Sequence, residues 1–456
     1  MSKINIKGRC RIELTDVTTG RKEVEEHDNM ITKALEYFYG KGGFTNPSAM
    51  NVSILRSDAL YYMLGGVMCL DTALTESNEI VRVPAGVKMT ANGARDQLNS
   101  GNPSELGSFN QNESGWQQDG SLKMVWDWTQ SQGNGDIKCV CLSSVYGGFN
   151  GIGNPSNTSK ANPWTISNWN SATALSGISG IPLAYKNNRV YALEKFDNVT
   201  EWTINIYEFP YSVIDMRATN TARLVDTITV QIPASIQNLV RDYSVYSAWG
   251  YGEEYSIHQN GDDVYILLCC TNTGYQAAQD GMTVSDDYPA YAIKYTISTG
   301  VVTATVLTPT STGVGVNTVR SSGNYFNHGI SSKYVIIDDY MINLANLADV
   351  SEFTNAKHTT SSRVYDSQHC TPMDEDVFRI DGAVYDTVNK TRYACNGSYI
   401  GGIGNMSDNP LMRFNGSALY RDLNYIATIF NLSSPVTKTA DKTMKVTYLL
   451  RFDAQA

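Results

Sequence analysis

The sequence predicts a mostly-β fold. It predicts a discontinuous, β-sandwich-like domain made from both chain ends, with a β-propeller-like or β-sandwich domain inserted between them. Three observations lead there. Both ends alternate apolar and polar residues with a period of two. The composition is rich in aromatics and turn formers, with 28 Tyr, 7 Trp and 37 Gly against only 18% charged residues. Four similar strand-like runs recur through the centre, each after a polar turn. Alternation is the mark of a half-buried strand, and Tyr, Thr and Trp suit pleated surfaces.

At the front, Ile4, Ile6, Gly8, Cys10, Ile12 and Leu14 share one face, and Asn5, Lys7, Arg9, Arg11 and Glu13 share the other. The turn Asp16–Gly20 and a second strand near Glu23–His27 make this a hairpin. Asp28 stands where a helix cap would, and Met30, Ala34, Tyr37 and Phe38 recur at helical spacing, which predicts the one substantial helix. Leu122, Met124, Trp126 and Trp128 alternate with polar residues and run through the turn Ser131–Asp136 into Ile137–Ser143, which predicts a second hairpin. The glycine-rich stretch Val145–Pro155 lacks the pattern of a phosphate cradle and reads as a surface loop or linker. At the far end Met444, Val446, Tyr448, Leu450 and Phe452 alternate again. Such a strand needs a partner, and the first strand is the natural one. The expected division is 1–160 with 429–456 as one domain and 161–428 as the other.

In the centre, Arg189–Leu193, Asp263–Leu267, Lys333–Ile337 and Asp376–Ile380 repeat one pattern. A further strand, turn and strand follow each at variable distance, as in propeller blades. The spacing is uneven, so the wider gaps are expected to hold an extra blade or a long insertion. No W-D or kelch signature accompanies the repeat.

The net charge of −10 argues against a general nucleic-acid binder, which needs a basic surface. No window is apolar and long enough to span a membrane, and Met1–Lys7 lacks a signal core. The eight cysteines form no C-x-x-C pair and read as small buried hydrophobes, with Cys139 and Cys141 on one strand face. The five histidines show no metal-binding spacing, so neither a metal nor a cofactor is expected. Acidic pairs at Glu253-Glu254, Asp262-Asp263, Asp286-Asp287 and Asp338-Asp339, and the run Asp374–Asp376, could supply a glycosidase's two carboxylates. Neighbouring acids in turns are more often solvated turn formers. The sharper candidate is aromatic. Tyr243, Tyr246, Trp249, Tyr251 and Tyr255 crowd a Gly/Ser-rich stretch, and rings of this kind can cover the flat faces of sugars. Tyr246, Trp249 and Tyr251 are the expected contact residues; the competing reading packs them between β layers.

Several phrases together carry a resemblance: Ile12–Gly20 with Asn29-Met30, Gly65–Leu70, Pro84–Thr90, Glu113–Trp116, Trp126–Thr129 and Pro435–Tyr448. They resemble tail-fibre or receptor-binding structural proteins of tailed bacteriophages, chiefly those of Gram-positive gut bacteria. The resemblance covers roughly 1–155 and 430–456. It implies a virion protein whose two ends build an attachment unit and whose centre varies with the host. It further implies other virion proteins, host-surface glycan and further copies of the chain as partners, and no catalysis. The alternatives are a virion-borne glycan depolymerase and a purely structural collar or baseplate component.

Overall fold

The computed structural model describes residues 4–34, 64–84, 87–95, 104–144, 147, 170–194, 200–209, 219–234, 255–269, 290–307, 328–337, 340–353, 371–372, 376–380, 383–394, 411–414, 418–421 and 425–454. The fold is almost entirely β. The chain divides into two compact units: residues 1–170 with 395–397 and 422–456, and residues 171–394 with 398–421.

The first unit is one sheet closed on itself. Its strands are β1 (Ile4–Asp16), β2 (Lys22–Ile31), β3 (Gly66–Leu70), β4 (Met89–Ala94), β5 (Leu106–Phe109), β6 (Gly115–Trp116), β7 (Leu122–Trp128), β8 (Gly135–Ser143), β29 (Thr428–Lys438) and β30 (Lys442–Ala454). Around the ring they run β30-β1-β2-β29-β8-β3-β4-β5-β7, and β7 pairs back onto β30. The short β6 shares the β5 edge of β7. The two layers expected of a sandwich are thus opposite walls of a single barrel-like sheet of nine strands. Closure removes the open edge that a patterned terminal strand would otherwise present.

The first and last strands pair antiparallel from Ile4↔Ala454 to Asp16↔Lys442. Their apolar residues coincide: Cys10 faces Tyr448, Ile12 faces Val446 and Leu14 faces Met444, all buried. The opposite wall differs. β3, β4 and β5 are buried along their whole length, and β8 from Cys139 onward. A strand covered on both faces loses its alternation, and Gly66–Leu70 accordingly reads as a continuous apolar run. Trp126 and Trp128 lie against glycines: a Cβ at Gly93 or Gly107 would run into one indole or the other.

Three expectations are corrected here. Asp28 and Met30 lie in β2, which continues to Ile31, so no helix is capped at Asp28; Ala34 is helical, so the helical backbone begins only after the strand has ended. The inter-strand register carries the chain past that point, with Asn29 beside Gly8; Tyr37 and Phe38 lie outside the described residues. Next, β7 and β8 are both strands but not a hairpin. The edges of β7 are taken by β30 and by β5 with β6, those of β8 by β29 and β3. The two lie on nearly opposite sides of the ring. Finally, Gly147 is buried against Gly66 and Gly93 rather than on a surface loop, and its carbonyl accepts from Asn92 Nδ2 at 3.2 Å; the rest of Val145–Pro155 lies outside the described residues.

Among the described residues the second unit holds five four-stranded sheets. The first is β10 (Ile181–Lys186), β11 (Arg189–Leu193), β12 (Glu201–Glu208) and β14 (Arg223–Gln231). The next is β15 (Tyr255–Asn260), β16 (Asp263–Cys269), β17 (Ala290–Thr296) and β18 (Val301–Leu307). Then come β19 (His328–Ile330), β20 (Tyr334–Ile337), β21 (Tyr340–Asn343) and β22 (Asn346–Glu352), and β23 (Thr371–Pro372), β24 (Val377–Ile380), β25 (Ala383–Asp386) and β26 (Thr391–Ala394). These four are antiparallel meanders. The fifth joins β9 (Asn170–Ser176) and β13 (Thr219–Thr221) to β27 (Met412–Phe414) and β28 (Ala418–Arg421), so strands from both ends of the unit meet in it.

All four recurring runs form the second strand of a sheet. Val190, Val264, Val335 and Phe378 occupy the same place, paired with Tyr207, Tyr295, Ile342 and Tyr385 on the third strand. All eight side chains are buried. Successive sheets pack face to face. Leu267, Ala292 and Leu307 meet Val335, Ile337 and Ile342, while Ile336 and Met341, on the other face, meet Phe378 and Tyr385. The β19–β22 sheet thus buries both faces between neighbours, as in the propeller-like arrangement the repeat predicts. Among the described residues the wide intervals hold no additional sheet; each spans one meander and its connections.

Candidate functional site

Meander topology sorts the connections of the second unit between its two ends. Strand one to strand two turns at one end, through 187–188, 261–262 and 331–333. Asn187 and Asn188 take positive φ (52° and 64°), as a tight two-residue hairpin requires. This end is fastened by charge. Lys186 Nζ lies 2.5 Å from Asp262, and Lys333 bridges both oxygens of Asp376 at 3.0 Å. Both pairs link neighbouring sheets. Tyr185 N also donates to Gln259 Oε1 of the next sheet at 2.9 Å.

The other end receives the links from strand two to strand three and from sheet to sheet. Connections 232–254, 270–289, 308–327 and 353–370 all begin and end there. Tyr246, Trp249 and Tyr251 belong to the first of these. They lie outside the described residues, between Ile232, which is buried, and Tyr255, which opens β15. By sequence, 232–254 and 270–289 carry Asp242, Glu253, Glu254, Asp280, Asp286 and Asp287 against the single base Arg241. The first unit is close to electrically neutral, so most of the net charge of −10 falls on the second.

The acids that the structure does describe are committed to partners. Asp262 is held below the usual carboxylate range by Lys186, with help from Ser298. Asp263 is raised by partial burial, but hydrogen bonds from Lys294 and Thr296 more than offset this and hold it low. A glycosidase's general acid needs the opposite shift. Glu253, Glu254, Asp286, Asp287, Asp338, Asp339, Asp374 and Glu375 lie outside the described residues. Among the described residues no group of three or more His, Cys, Asp or Glu stands together as a metal-ligand set. No helix among them is long and apolar enough to cross a membrane.

In the barrel the polar side chains that sequence reading passed over are structural. Tyr448 reaches across the interior from β30 and donates to Val140 O at 3.0 Å, while Thr428 Oγ1 donates to its hydroxyl at 3.2 Å. Burial holds that hydroxyl protonated. Cys10, Cys69, Cys139 and Cys141 are buried, and Cys139 and Cys141 do share a face, with sulfurs 3.6 Å apart. Burial raises the pKa of Cys10, Cys69 and Cys141, which keeps those thiols neutral. The outer wall carries ion pairs instead: Arg9–Glu26, Lys22–Glu13, Lys442–Glu23 and Arg451–Asp119.

Lys438 is the unexpected residue. It is only 1% exposed, and its Nζ donates to Gln130 O (3.0 Å), Asn134 Oδ1 (2.8 Å) and Thr439 O (3.2 Å). It therefore fixes the connection between β7 and β8. Burial pushes its pKa from 10.5 down to about 8. The unfolded chain then holds this proton more tightly than the folded one. The group's penalty is full below about pH 8 and is relieved as pH rises toward 10.5. At 1.36 kcal/mol per pKa unit this amounts to at most ~3 kcal/mol. Urea titrations should show wild-type stability rising relative to Lys438→Met across that window. Parallel pH profiles for the two proteins would contradict it.

No protein-family model matches the chain, and a comparison with curated proteins finds no match either.

Proposed function

We propose that the chain is a non-enzymatic structural protein of a tailed-bacteriophage virion, a tail-fibre or receptor-binding component. The barrel made from both chain ends is its attachment unit to other virion proteins. The five-sheet unit presents its long connections to host-surface glycan. The protein works as a homo-oligomer on the particle and needs neither nucleic acid nor membrane insertion.

The observation that carries this reading is the sorting of connections in the second unit. One end has mostly tight turns, two of them ion-paired to the next sheet, apart from the 209–222 connection between β12 and β14. At the other, several long connections start and finish, one of them holding Tyr246, Trp249 and Tyr251. Long connections on a rigid scaffold are where recognition residues concentrate. Rings supply contact area to sugar faces, and Glu253 and Glu254 supply acceptors for hydroxyls while disfavouring an anionic polymer.

Replacing Tyr246, Trp249 and Tyr251 together with alanine should weaken binding to Gram-positive host cells by about tenfold or more, as loss of anchor residues does. The melting temperature should stay within a degree or two of wild type. If Trp249→Ala alone lowers stability by ~3–5 kcal/mol, that residue belongs to a core and the contact reading fails.

A further inference from the structure

The last strands of the four meanders, each an edge of its sheet, are β14, β18, β22 and β26. Natural edge strands carry charge to prevent pairing with another chain. Three of these comply: Arg223 and Asp226 in β14, Asp349 and Glu352 in β22, and Arg392 in β26. β18 does not. Its sequence Val301-Val302-Thr303-Ala304-Thr305-Val306-Leu307 contains no charge, no proline and no glycine. It pairs along its full length with β17 on one side, from Ala290↔Leu307 to Thr296↔Val301. Among the described residues no strand hydrogen-bonds to its other edge, although β14 of the preceding sheet packs close by. Val301 is 53% exposed and Val306 36%.

The segment is also nearly its own mirror image about Ala304. Thr303 matches Thr305, Val302 matches Val306, and Val301 matches Leu307 in apolar character. Two antiparallel copies related by a two-fold axis at Ala304 would place each residue opposite its like. Thr would face Thr and Val would face Val, pairs that favour cross-strand association. A two-fold interface demands such self-complementarity. Asp226 near the middle of β14 denies that strand the same property.

The geometry points to β18 as a homodimer seam: two copies of this chain join edge to edge through β18, antiparallel and centred on Ala304, making one eight-stranded sheet from two four-stranded ones. Pairing uses up both free edges, so the assembly closes at two. The inference is independent of any virion role.

The test uses the full chain. Sedimentation velocity across a concentration series should show a monomer–dimer equilibrium for wild type. Thr303→Glu should shift it to monomer, because a carboxylate then enters the seam. That variant should keep its melting temperature, since Lys294 stands directly opposite on β17. Ala304→Cys should form a covalent dimer under mild oxidation well above the wild-type background. Directly opposed Cα atoms lie about 4.5–5.5 Å apart, within disulfide reach. Thr303→Cys should crosslink far less, because it faces Thr305 of the other copy. Wild type that stays monomeric throughout would overturn the proposal. So would a dimer unaffected by Thr303→Glu, or crosslinking through Ala304→Cys no greater than through Thr303→Cys. Should Thr303→Glu prove unstable, the crosslinking comparison decides alone.

Discussion

Deleting residues 442–456 should unfold the barrel. The deletion removes all of β30, which stands between β1 and β7 in the ring. Met444, Val446, Tyr448 and Leu450 are all buried. At ~1.5–3 kcal/mol for each large apolar side chain, their loss alone rivals the 5–15 kcal/mol typical of a whole domain. The deletion also strips the Tyr448 hydroxyl from Val140 and Thr428. Two long edges would open, one on β1 and one on β7, each with an apolar face behind it. Aggregation is the expected fate of such edges. Near-UV circular dichroism and sedimentation of the truncated chain give the answer. A soluble monomer with the wild-type spectrum would show that β30 is dispensable to the fold.

A fragment spanning residues 171–421 should fold by itself, and the same fragment begun at residue 177 should not. The longer fragment keeps all five sheets of the second unit. Starting at 177 removes β9, the strand that joins β13 to β28 in the fifth sheet. What remains there is the β27–β28 hairpin, and a two-stranded sheet is marginal in water. Cooperative thermal unfolding of the first fragment and rapid proteolysis of the second are the expected outcomes. Equal protease resistance would mean that the fifth sheet does not close the unit.

What could be read from the sequence follows from how each strand is covered. β1 and β30 face solvent on one side, so their alternation survives in the residues and even their partnership could be anticipated. The four second strands were legible because Val190, Val264, Val335 and Phe378 repeat one environment. The supposed hairpin of β7 and β8 failed for a different reason. Gly133-Asn134-Gly135 has good turn chemistry, but turn residues say nothing about which edges are already occupied. The fifth sheet escaped notice because β9 and β28 lie far apart in the chain and its other three strands are only three or four residues long. Lys438 hid inside a strand of mixed polarity. Its role depends on Gln130 and Asn134, some three hundred positions earlier.

The pairing of β1 with β30 has a mechanical consequence. Ile4 lies opposite Ala454, so the start of β1 and the finish of β30 stand side by side at one end of a shared ladder. Tension applied between them would load that ladder one rung at a time, like a zipper, instead of shearing all its rungs together. The seam would therefore part at low force from the Ile4 end toward Asp16. Tension applied at a single terminus, with the load carried through the closed ring, would spread across many rungs. A tether that must withstand pulling is better joined to this barrel through its walls, or through one terminus alone, than in series through both.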